Sequence, residues 1–310
     1  MSELALHVAD YLALRRALGF KLEREGHELP GLVAFLEAAG AATLTADLAI
    51  AWARLPQHVQ PIRWAHRLGS ARGFARYLAT IDPTTEVPPR DVFGAREQRP
   101  APYLWSEAEV RRLLEAAREI RPPLRAATHE TLFGLLAVSG MRLGEAIGLE
   151  RDDVDLGAGV LTIREAKFGR QRLVPLHPSA TAALRAHAAR RDRLCPHPRA
   201  RTFFLSSVGT ALLAGGVHVT FNRITTALGL RSATVRPRLH DLRHSWAVRT
   251  LIGWQRSGAD VGAQMAALST YLGHVNPAGT YWYLSATPEL LRLAMLRASG
   301  NGGAHHENPR

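Results

Sequence analysis

Residues with the chemistry needed to act on a phosphodiester recur from position 142 onward in this 310-residue chain. Arg142, His240, Arg243 and His274 can hold or relay charge, and Tyr283 offers a hydroxyl group nine residues after His274. The transition state of phosphate cleavage carries negative charge that two guanidinium groups can hold. A tyrosine hydroxyl, with a free pKa of about 10, is a weak nucleophile that needs a base such as histidine. These residue types are sufficient to cleave a phosphodiester without a metal ion.

Lysine is rare in the chain, which makes its two positions informative. Only Lys21 and Lys167 occur among 39 basic residues. Arginine stays protonated in proteins, whereas lysine can give up a proton when its surroundings depress its pKa. Lys167 lies at the predicted tip of a hairpin whose strands are expected at 160–163 and 172–176. We therefore interpret Lys167 as a candidate general acid for a leaving group, with an ordinary surface lysine as the alternative.

The charge balance points to a polyanionic partner. The formal net charge is +12 and the isoelectric point is about 10.9, which is typical of proteins that bind nucleic acid. The alternative is that an arginine-rich composition only reflects a GC-rich genome.

Other function classes are disfavoured by the composition. The longest apolar runs are too short to span a bilayer, and residues 1–10 lack the pattern of a secretion signal. A single cysteine, Cys195, excludes an internal disulfide framework and a cysteine-based zinc site. We therefore predict a cytoplasmic protein with no membrane association, no metal and no cofactor.

The pattern of apolar residues predicts a mainly α chain in two domains with a small β-hairpin or sheet. Residues 1–82 show helical spacing throughout and form the first domain, and the proline-rich stretch 83–103 is expected to be a linker. The second domain, 104–299, begins with a capping box of Ser106 and Glu109 and continues with a helix from Pro123 to Ser139. Residues 300–310 are polar and are expected to be a disordered tail.

The second domain resembles the tyrosine recombinase, or phage integrase, family over roughly residues 105–298. The family has an arginine in a Gly-x-Arg-x-x-Glu setting, a hairpin lysine followed by a basic strand, a His-x-x-Arg motif, a Leu-Gly-His motif and a tyrosine nine residues later. The matching residues here are Arg142 with Glu145, Lys167 followed by the strand 172–176, His240 with Arg243, His274, and Tyr283. The order and spacing of these matches carry the resemblance.

The resemblance implies a role for each matched residue. Arg142, Arg243 and His274 would hold the scissile phosphate, and Tyr283 would attack it to form a 3′-phosphotyrosyl bond. In this interpretation His240 accepts the tyrosine proton, Lys167 protonates the leaving 5′-hydroxyl, and Glu145 orients His240 or Arg142. The implied enzyme is a site-specific recombinase acting in integration, excision or transposon-associated strand exchange.

The resemblance also implies an architecture and partners. We expect a two-domain DNA clamp, with a helical core-binding domain before the catalytic domain, closing on double-stranded DNA that carries inverted-repeat sites. A homo-tetramer on the DNA and accessory recombination proteins are further expectations. Arg72, Arg76 and Arg223 are candidate DNA contacts because they lie on predicted helices, although a solvated basic face explains them equally well.

Alternatives remain open at several of these residues. Tyr281 is a rival nucleophile, although the offset from His274 favours Tyr283. His240 and His244 are four residues apart and could bind zinc as a pair. A topoisomerase-like relaxase and a DNA-binding regulator that has lost its activity are the competing functions.

Overall fold

The computed structural model describes residues 2–94, 101–164, 171–274 and 278–285, together with Leu290, Arg292 and Met295. The chain divides into two compact units, Met1–Pro100 (unit 1) and Ala101–Arg310 (unit 2). Lys167 and the predicted tail 300–310 lie outside the described residues.

The regular elements in the described part of unit 1 are all helices. Its helices are α1 (Glu3–Ala17), α2 (Glu23–Ala38), α3 (Ala46–Arg54) and α4 (Pro61–Leu78). Side-chain oxygens of Ser2 and Thr45 accept from backbone N–H groups in the first turns of α1 and α3, which explains where these helices begin. The apolar faces of all four helices meet in one core that contains Trp52 and Phe74, as the helical spacing of the sequence predicted.

The segment 83–94, expected to belong to a linker, contains no helix or strand but packs against unit 1. The N–H of Glu86 donates to the carbonyl of Leu44 at 2.9 Å, and the Nε of Arg72 donates to the carbonyl of Pro88, also at 2.9 Å. The carbonyls of Pro88 and Pro89 both accept from Arg72, which fixes this segment against α4.

Unit 2 is a mainly α assembly around a small sheet. Its described helices are α5 (Glu107–Arg118), α6 (Pro123–Ser139), α7 (Leu143–Gly148), α8 (Pro178–Leu194), α9 (Ala214–Ala227), α10 (Leu239–Arg256), α11 (Val261–Leu272) and the single turn α12 (Ala278–Tyr281). The predicted capping box at Ser106 and Glu109 begins α5, and α6 runs between the predicted residues and stops at Gly140. The expected fold class is confirmed.

The sheet in the described residues has three antiparallel strands, β1 (Val154–Asp155), β2 (Val160–Arg164) and β3 (Gln171–Pro175), in the order β1-β2-β3. β2 and β3 pair in a hairpin register with Ile163 opposite Arg172. The short strand β1 was not anticipated from the sequence, because two residues carry too little alternation to be recognised.

Two apolar clusters hold the elements of unit 2 together. The larger one joins α5, α6, the sheet and α9 through residues such as Phe133, Phe203 and Phe221. The second joins α10 and α11 and includes Tyr283 and Leu290. Since α10, α11 and the segment with Tyr283 share this second core, their functional side chains are brought together by apolar packing. Among the described residues, no helix combines the length and the apolarity needed to cross a bilayer.

Candidate active site

Arg142 lies at the start of α7 and is tied to Glu145 within the same turn. The Glu145 carboxylate accepts from the Arg142 backbone N–H at 2.9 Å and from Arg142 Nη1 at 2.8 Å. The same carboxylate accepts from Arg172 Nη2, on β3, at 2.7 Å. Burial alone would raise the pKa of Glu145, but the hydrogen bonds from Arg172 and Arg142 outweigh it and lower this pKa. Glu145 is therefore an anion that fixes two arginines at once.

Helix α10 carries His240, Arg243 and His244 on one face, because residues three and four apart are neighbours on a helix. The helix begins where the buried carboxylate of Asp241 accepts from the Arg238 backbone N–H at 2.7 Å. This cap fixes the first turn, from which the three side chains project.

The carboxyl end of α11 is where the arginines converge. Gly273 adopts a left-handed conformation with φ of 65° and closes the helix, and the N–H of His274 returns to the carbonyl of Ser269 at 3.0 Å. The next carbonyls along the chain each accept from a different arginine. Tyr271 accepts from Arg172 at 3.0 Å, Leu272 from Arg243 at 2.7 Å and Gly273 from Arg142 at 2.7 Å.

These contacts have a simple electrostatic cause. The last carbonyls of a helix lack partners inside the helix and carry the negative end of its dipole. A guanidinium group donates hydrogen bonds to these carbonyls and its positive charge interacts favourably with the dipole. The end of α11 therefore positions the arginines before any ligand arrives. Preorganised charge of this kind needs little rearrangement when a negatively charged group binds.

Arg243 is buried, with 1% of its surface exposed. Its Nη1 donates to the carbonyl of Gly140 at 2.7 Å, and its Nη2 approaches His274 Nε2 at 2.8 Å. Burial lowers the pKa of Arg243, and the neighbouring phenol of Tyr283 opposes that shift. The Nε of Arg243 has no hydrogen-bond partner among the described residues. A buried donor of this kind is costly to leave unpaired, which suits a site for an anion.

His274 follows the end of α11 and is held on both ring nitrogens. Nε2 contacts Arg243, and Nδ1 lies 2.6 Å from the hydroxyl of Thr280 in α12. Burial first, and then the charges of Arg243 and Arg142, lower the pKa of His274 to about 4. The imidazole is therefore neutral near pH 7 and has one N–H to donate.

Tyr283 lies in the short 3₁₀ turn Trp282–Ser285 and is buried, with 2% of its surface exposed. Its hydroxyl is 3.2 Å from Nδ1 of His244, and its ring stacks on His274 with 6.2 Å between centroids. Tyr281, the rival nucleophile, is 53% exposed. Tyr283 is thus the tyrosine that faces the arginines and histidines.

His240 lies beside His244, with 4.6 Å between the ring centroids and nearly perpendicular planes. Although His240 is solvent exposed, partial desolvation and then the charge of Arg243 lower its pKa, which keeps the ring neutral near pH 7. The histidine in contact with the Tyr283 hydroxyl is His244, not the His240 assigned from sequence. The described residues contain no group of three or more side chains able to hold a metal ion.

The predicted residues are therefore brought together to different extents. Arg142, Glu145, Arg243, His274 and Tyr283 surround the end of α11, whereas Lys167 belongs to the stretch 165–170, outside the described residues.

The candidate DNA contacts Arg72, Arg76 and Arg223 lie on helices, as predicted. Arg76 and Arg223 are exposed. Arg72 instead donates to the carbonyls of Pro88 and Pro89. Its guanidinium therefore holds the segment that follows α4.

Three residues of the site had no catalytic role assigned from the sequence: Arg172, His244 and Thr280. His244 shares a helix face with His240, and this periodicity could have identified it. Arg172 and Thr280 meet their partners 27 and 6 residues away in the chain. No local sequence pattern predicts either contact. The position of Arg172 depends on the packing of β3 against α11, and that of Thr280 on the packing of α12 against α11.

The family of the chain follows from comparison with known proteins. The model of the phage integrase family matches residues 105–289, which is more than half of the chain. The chain belongs to the phage integrase family. It is a tyrosine-type site-specific recombinase, an enzyme that breaks and rejoins DNA strands, as the sequence motifs predicted.

Related family members extend over nearly the whole chain. A Sinorhizobium fredii protein named as integrase/recombinase y4rB is 46% identical, with 96% of this chain and 97% of that protein covered. Tyrosine recombinase XerD of Caulobacter vibrioides is 29% identical, with 90% of this chain and 85% of that protein covered.

Solved structures of integrases share the fold. The Tn1549 transposon integrase in complex with transposon right end DNA matches with a TM-score of 0.64 and 18% identity, covering 94% of this chain and 99% of that one. The site-specific recombinase XerH, bound to its difH substrate, matches with a TM-score of 0.61 and 18% identity, covering 86% of this chain and 72% of that one.

Proposed function

We propose that this recombinase cleaves double-stranded DNA with Tyr283 as the nucleophile and stores the broken bond as a 3′-phosphotyrosyl linkage. The observation that carries the proposal is the position of Tyr283, whose ring stacks on His274 and whose phenol lies against the buried Arg243. A nucleophile beside two groups able to bind a phosphate is placed close to the atom that it would attack.

Arg142, Arg243 and His274 form the proposed phosphate site. Arg243 offers a buried Nε without a partner among the described residues, and Arg142 keeps 39% of its side chain exposed. Each guanidinium group donates a hydrogen bond to a carbonyl at the end of α11: Arg142 to Gly273 and Arg243 to Leu272. A phosphate that enters the site would therefore meet donors already fixed in place, and their charge would stabilise the pentavalent transition state.

The histidine pair on α10, His240 and His244, is proposed to accept the proton of the Tyr283 hydroxyl. His244 Nδ1 lies 3.2 Å from the hydroxyl and, unlike an arginine, can accept a proton, so it is the proposed first acceptor. His240, the base implied by the family resemblance, packs edge-on against His244 and is neutral near pH 7. Replacing each histidine separately by glutamine distinguishes them, because the true acceptor loses more of the single-turnover cleavage rate.

Lys167 is the proposed general acid, on the strength of the family motif and the rarity of lysine in the chain. It would protonate the departing 5′-hydroxyl. The phosphotyrosyl bond conserves the energy of the phosphodiester, so a second 5′-hydroxyl can rejoin the strand without a nucleotide cofactor.

The proposed partner is double-stranded DNA with inverted-repeat sites. Support comes from the net charge of +12 and from relatives in the same fold that are bound to DNA, including the Tn1549 integrase on transposon end DNA. We further propose a homo-tetramer on that DNA, accessory recombination proteins, and a cytoplasmic location. Integration, excision and transposon-associated exchange are the reactions that this chemistry serves.

A suicide-substrate assay tests the proposal. DNA from the gene's own flanking repeats, nicked so that the cleaved strand diffuses away, should trap a covalent protein–DNA adduct. The adduct should vanish in Tyr283→Phe and persist in the matched control Tyr281→Phe. An adduct that survives Tyr283→Phe would remove Tyr283 from the mechanism. The absence of any adduct with the unaltered protein would favour a DNA-binding regulator.

A further inference from the structure

The hydrogen bonds of the His274 ring place its proton on the nitrogen that does not face the proposed phosphate site. Arg243 Nη2 lies 2.8 Å from His274 Nε2, and an arginine can only donate. Nε2 must therefore be unprotonated in this arrangement. A neutral imidazole then carries its proton on Nδ1, which donates to the hydroxyl of Thr280 at 2.6 Å.

Holding a phosphate requires the opposite tautomer. To donate to a phosphate oxygen from the nitrogen beside Arg243, His274 must carry its proton on Nε2. Nδ1 is then an acceptor, and it needs a donor in place of the acceptor that it faced before. Burial and the charges of the neighbouring arginines lower the pKa of His274, which favours a neutral ring with a single N–H in the DNA-free protein.

Thr280 is built to serve both states. Its hydroxyl can accept from Nδ1–H or donate to an unprotonated Nδ1, because it has one O–H and two lone pairs. Its side chain is fully buried, with 0% of its surface exposed. Water is therefore a poor substitute for the hydroxyl at this position, and a side chain of the same shape without the hydroxyl would leave Nδ1 unpaired in either state.

We propose that Thr280 is a positioning residue that lets His274 change tautomer when the scissile phosphate displaces the Arg243 contact. In this change Nε2 takes up a proton from solvent, Nδ1 passes its proton to the Thr280 hydroxyl, and that hydroxyl releases its own proton to solvent and is left donating to Nδ1. One proton is gained and one is lost, so the ring is neutral before and after the change. The inference rests on the proposed function, since it assumes that His274 donates to a phosphate.

The first experiment compares two substitutions at this position in the full-length protein. Thr280→Val keeps the shape of the side chain and removes the hydroxyl, whereas Thr280→Ser keeps the hydroxyl. Single-turnover adduct formation should slow about 10-fold in Thr280→Val, the loss expected for one hydrogen bond worth about 1.4 kcal/mol in the transition state. It should stay within about 2-fold of the unaltered protein in Thr280→Ser, and DNA affinity should change in neither.

A matched control measures the cost of losing a buried hydroxyl elsewhere. Thr225 in α9 is also 0% exposed, and its hydroxyl bonds the carbonyl of Phe221 in its own helix. Thr225→Val should form the adduct at the normal rate. Equal rates for Thr280→Val and the unaltered protein, or equal losses in the valine and serine variants, would overturn the inference.

The second experiment does not depend on activity. With ¹⁵N-labelled histidine rings, the His274 signals of the DNA-free protein should show a proton on Nδ1. Addition of substrate DNA to the Tyr283→Phe variant should move that proton to Nε2. A free protein already protonated on Nε2 would overturn the inference and leave the proposed function intact. If the unaltered protein forms no adduct at Tyr283, the proposed function fails instead, whatever the tautomer.

Discussion

Replacing Arg172 by methionine should destabilise unit 2 in a pH-dependent way. Arg172 and Glu145 are both well buried, with 10% and 12% of their side chains exposed. Breaking a buried ion pair typically costs about 3–5 kcal/mol, because one charge is left without compensation. Glu145 keeps Arg142 as a partner. We therefore expect a loss of about 2–3 kcal/mol in the free energy of unfolding at pH 7.

The pH dependence of the stability loss in Arg172→Met distinguishes an electrostatic cause from a loss of packing. In the unaltered protein the pKa of Glu145 is lowered, so its stabilising contribution is present above the unfolded pKa of about 4.3 and is lost as the pH falls through the folded value. In Arg172→Met, burial is less opposed and the pKa of Glu145 should rise. Glu145 is then protonated in the variant at a higher pH than in the unaltered protein, so the stability difference between the two should shrink as the pH falls from 7 to 4. It should approach about 1 kcal/mol, the worth of the lost hydrogen bond to Tyr271, only below the folded pKa of Glu145.

Urea unfolding at several pH values between 4 and 7 measures the loss in the free energy of unfolding and its dependence on pH. Other titrating groups act equally in the two proteins and cancel in the difference. Arg172→Lys should recover part of the loss, since a lysine restores the charge but cannot reach Glu145 and the Tyr271 carbonyl together. Arg193→Met, an exposed arginine at the end of α8, should change stability by no more than about 0.5 kcal/mol. A pH-independent difference for Arg172→Met would refute the electrostatic reasoning.

Three further predictions test other parts of the molecule. Gly140→Ala should cost about 2–4 kcal/mol in urea unfolding, since Gly140 has a φ of 60° and a Cβ there would meet Trp246 at 2.6 Å. The buried ring of His187 has a pKa lowered to about 4 by burial and then by Arg191, so the unfolded state binds its proton first and stability falls as the pH drops from about 6.5 to about 4. His187→Gln should reduce that slope by up to about 1.4 kcal/mol per pH unit. Replacing exposed Arg76 or Arg223 by glutamine should each reduce the slope of log affinity for DNA against log salt by about 1.

Each of these changes has an outcome that would contradict it. Normal stability in Gly140→Ala would mean that the Trp246 ring can move aside at little cost. An unchanged pH profile in His187→Gln would mean that the ring takes up its proton equally well in the folded state. An unchanged salt slope in both arginine variants would assign Arg76 and Arg223 to a solvated surface rather than to phosphate contacts.

Local patterns in the chain were enough to predict most of the helices. The capping box at Ser106 and the glycine at Gly140 mark helix ends because capping depends on residues within one turn. The strands 160–163 and 172–176 were predicted to within a residue of β2 and β3 for the same reason: alternation is a local signal. The proline-rich stretch 83–103 was expected to be a linker, and its part 83–94 contacts unit 1 through distant partners such as Leu44, which no local pattern predicts.

The sequence alone determined which residue types were available and which motifs they formed, since the spacing of His274 and Tyr283 and the i, i+3 pair on α10 are properties of the chain. Tertiary structure decided how those groups are held. The end of α11 draws guanidinium groups from α7, β3 and α10 onto successive carbonyls. A helix terminus leaves unpaired carbonyls wherever it occurs, but only packing determines which side chains reach them. The same packing brought His244, rather than His240, to the hydroxyl of Tyr283.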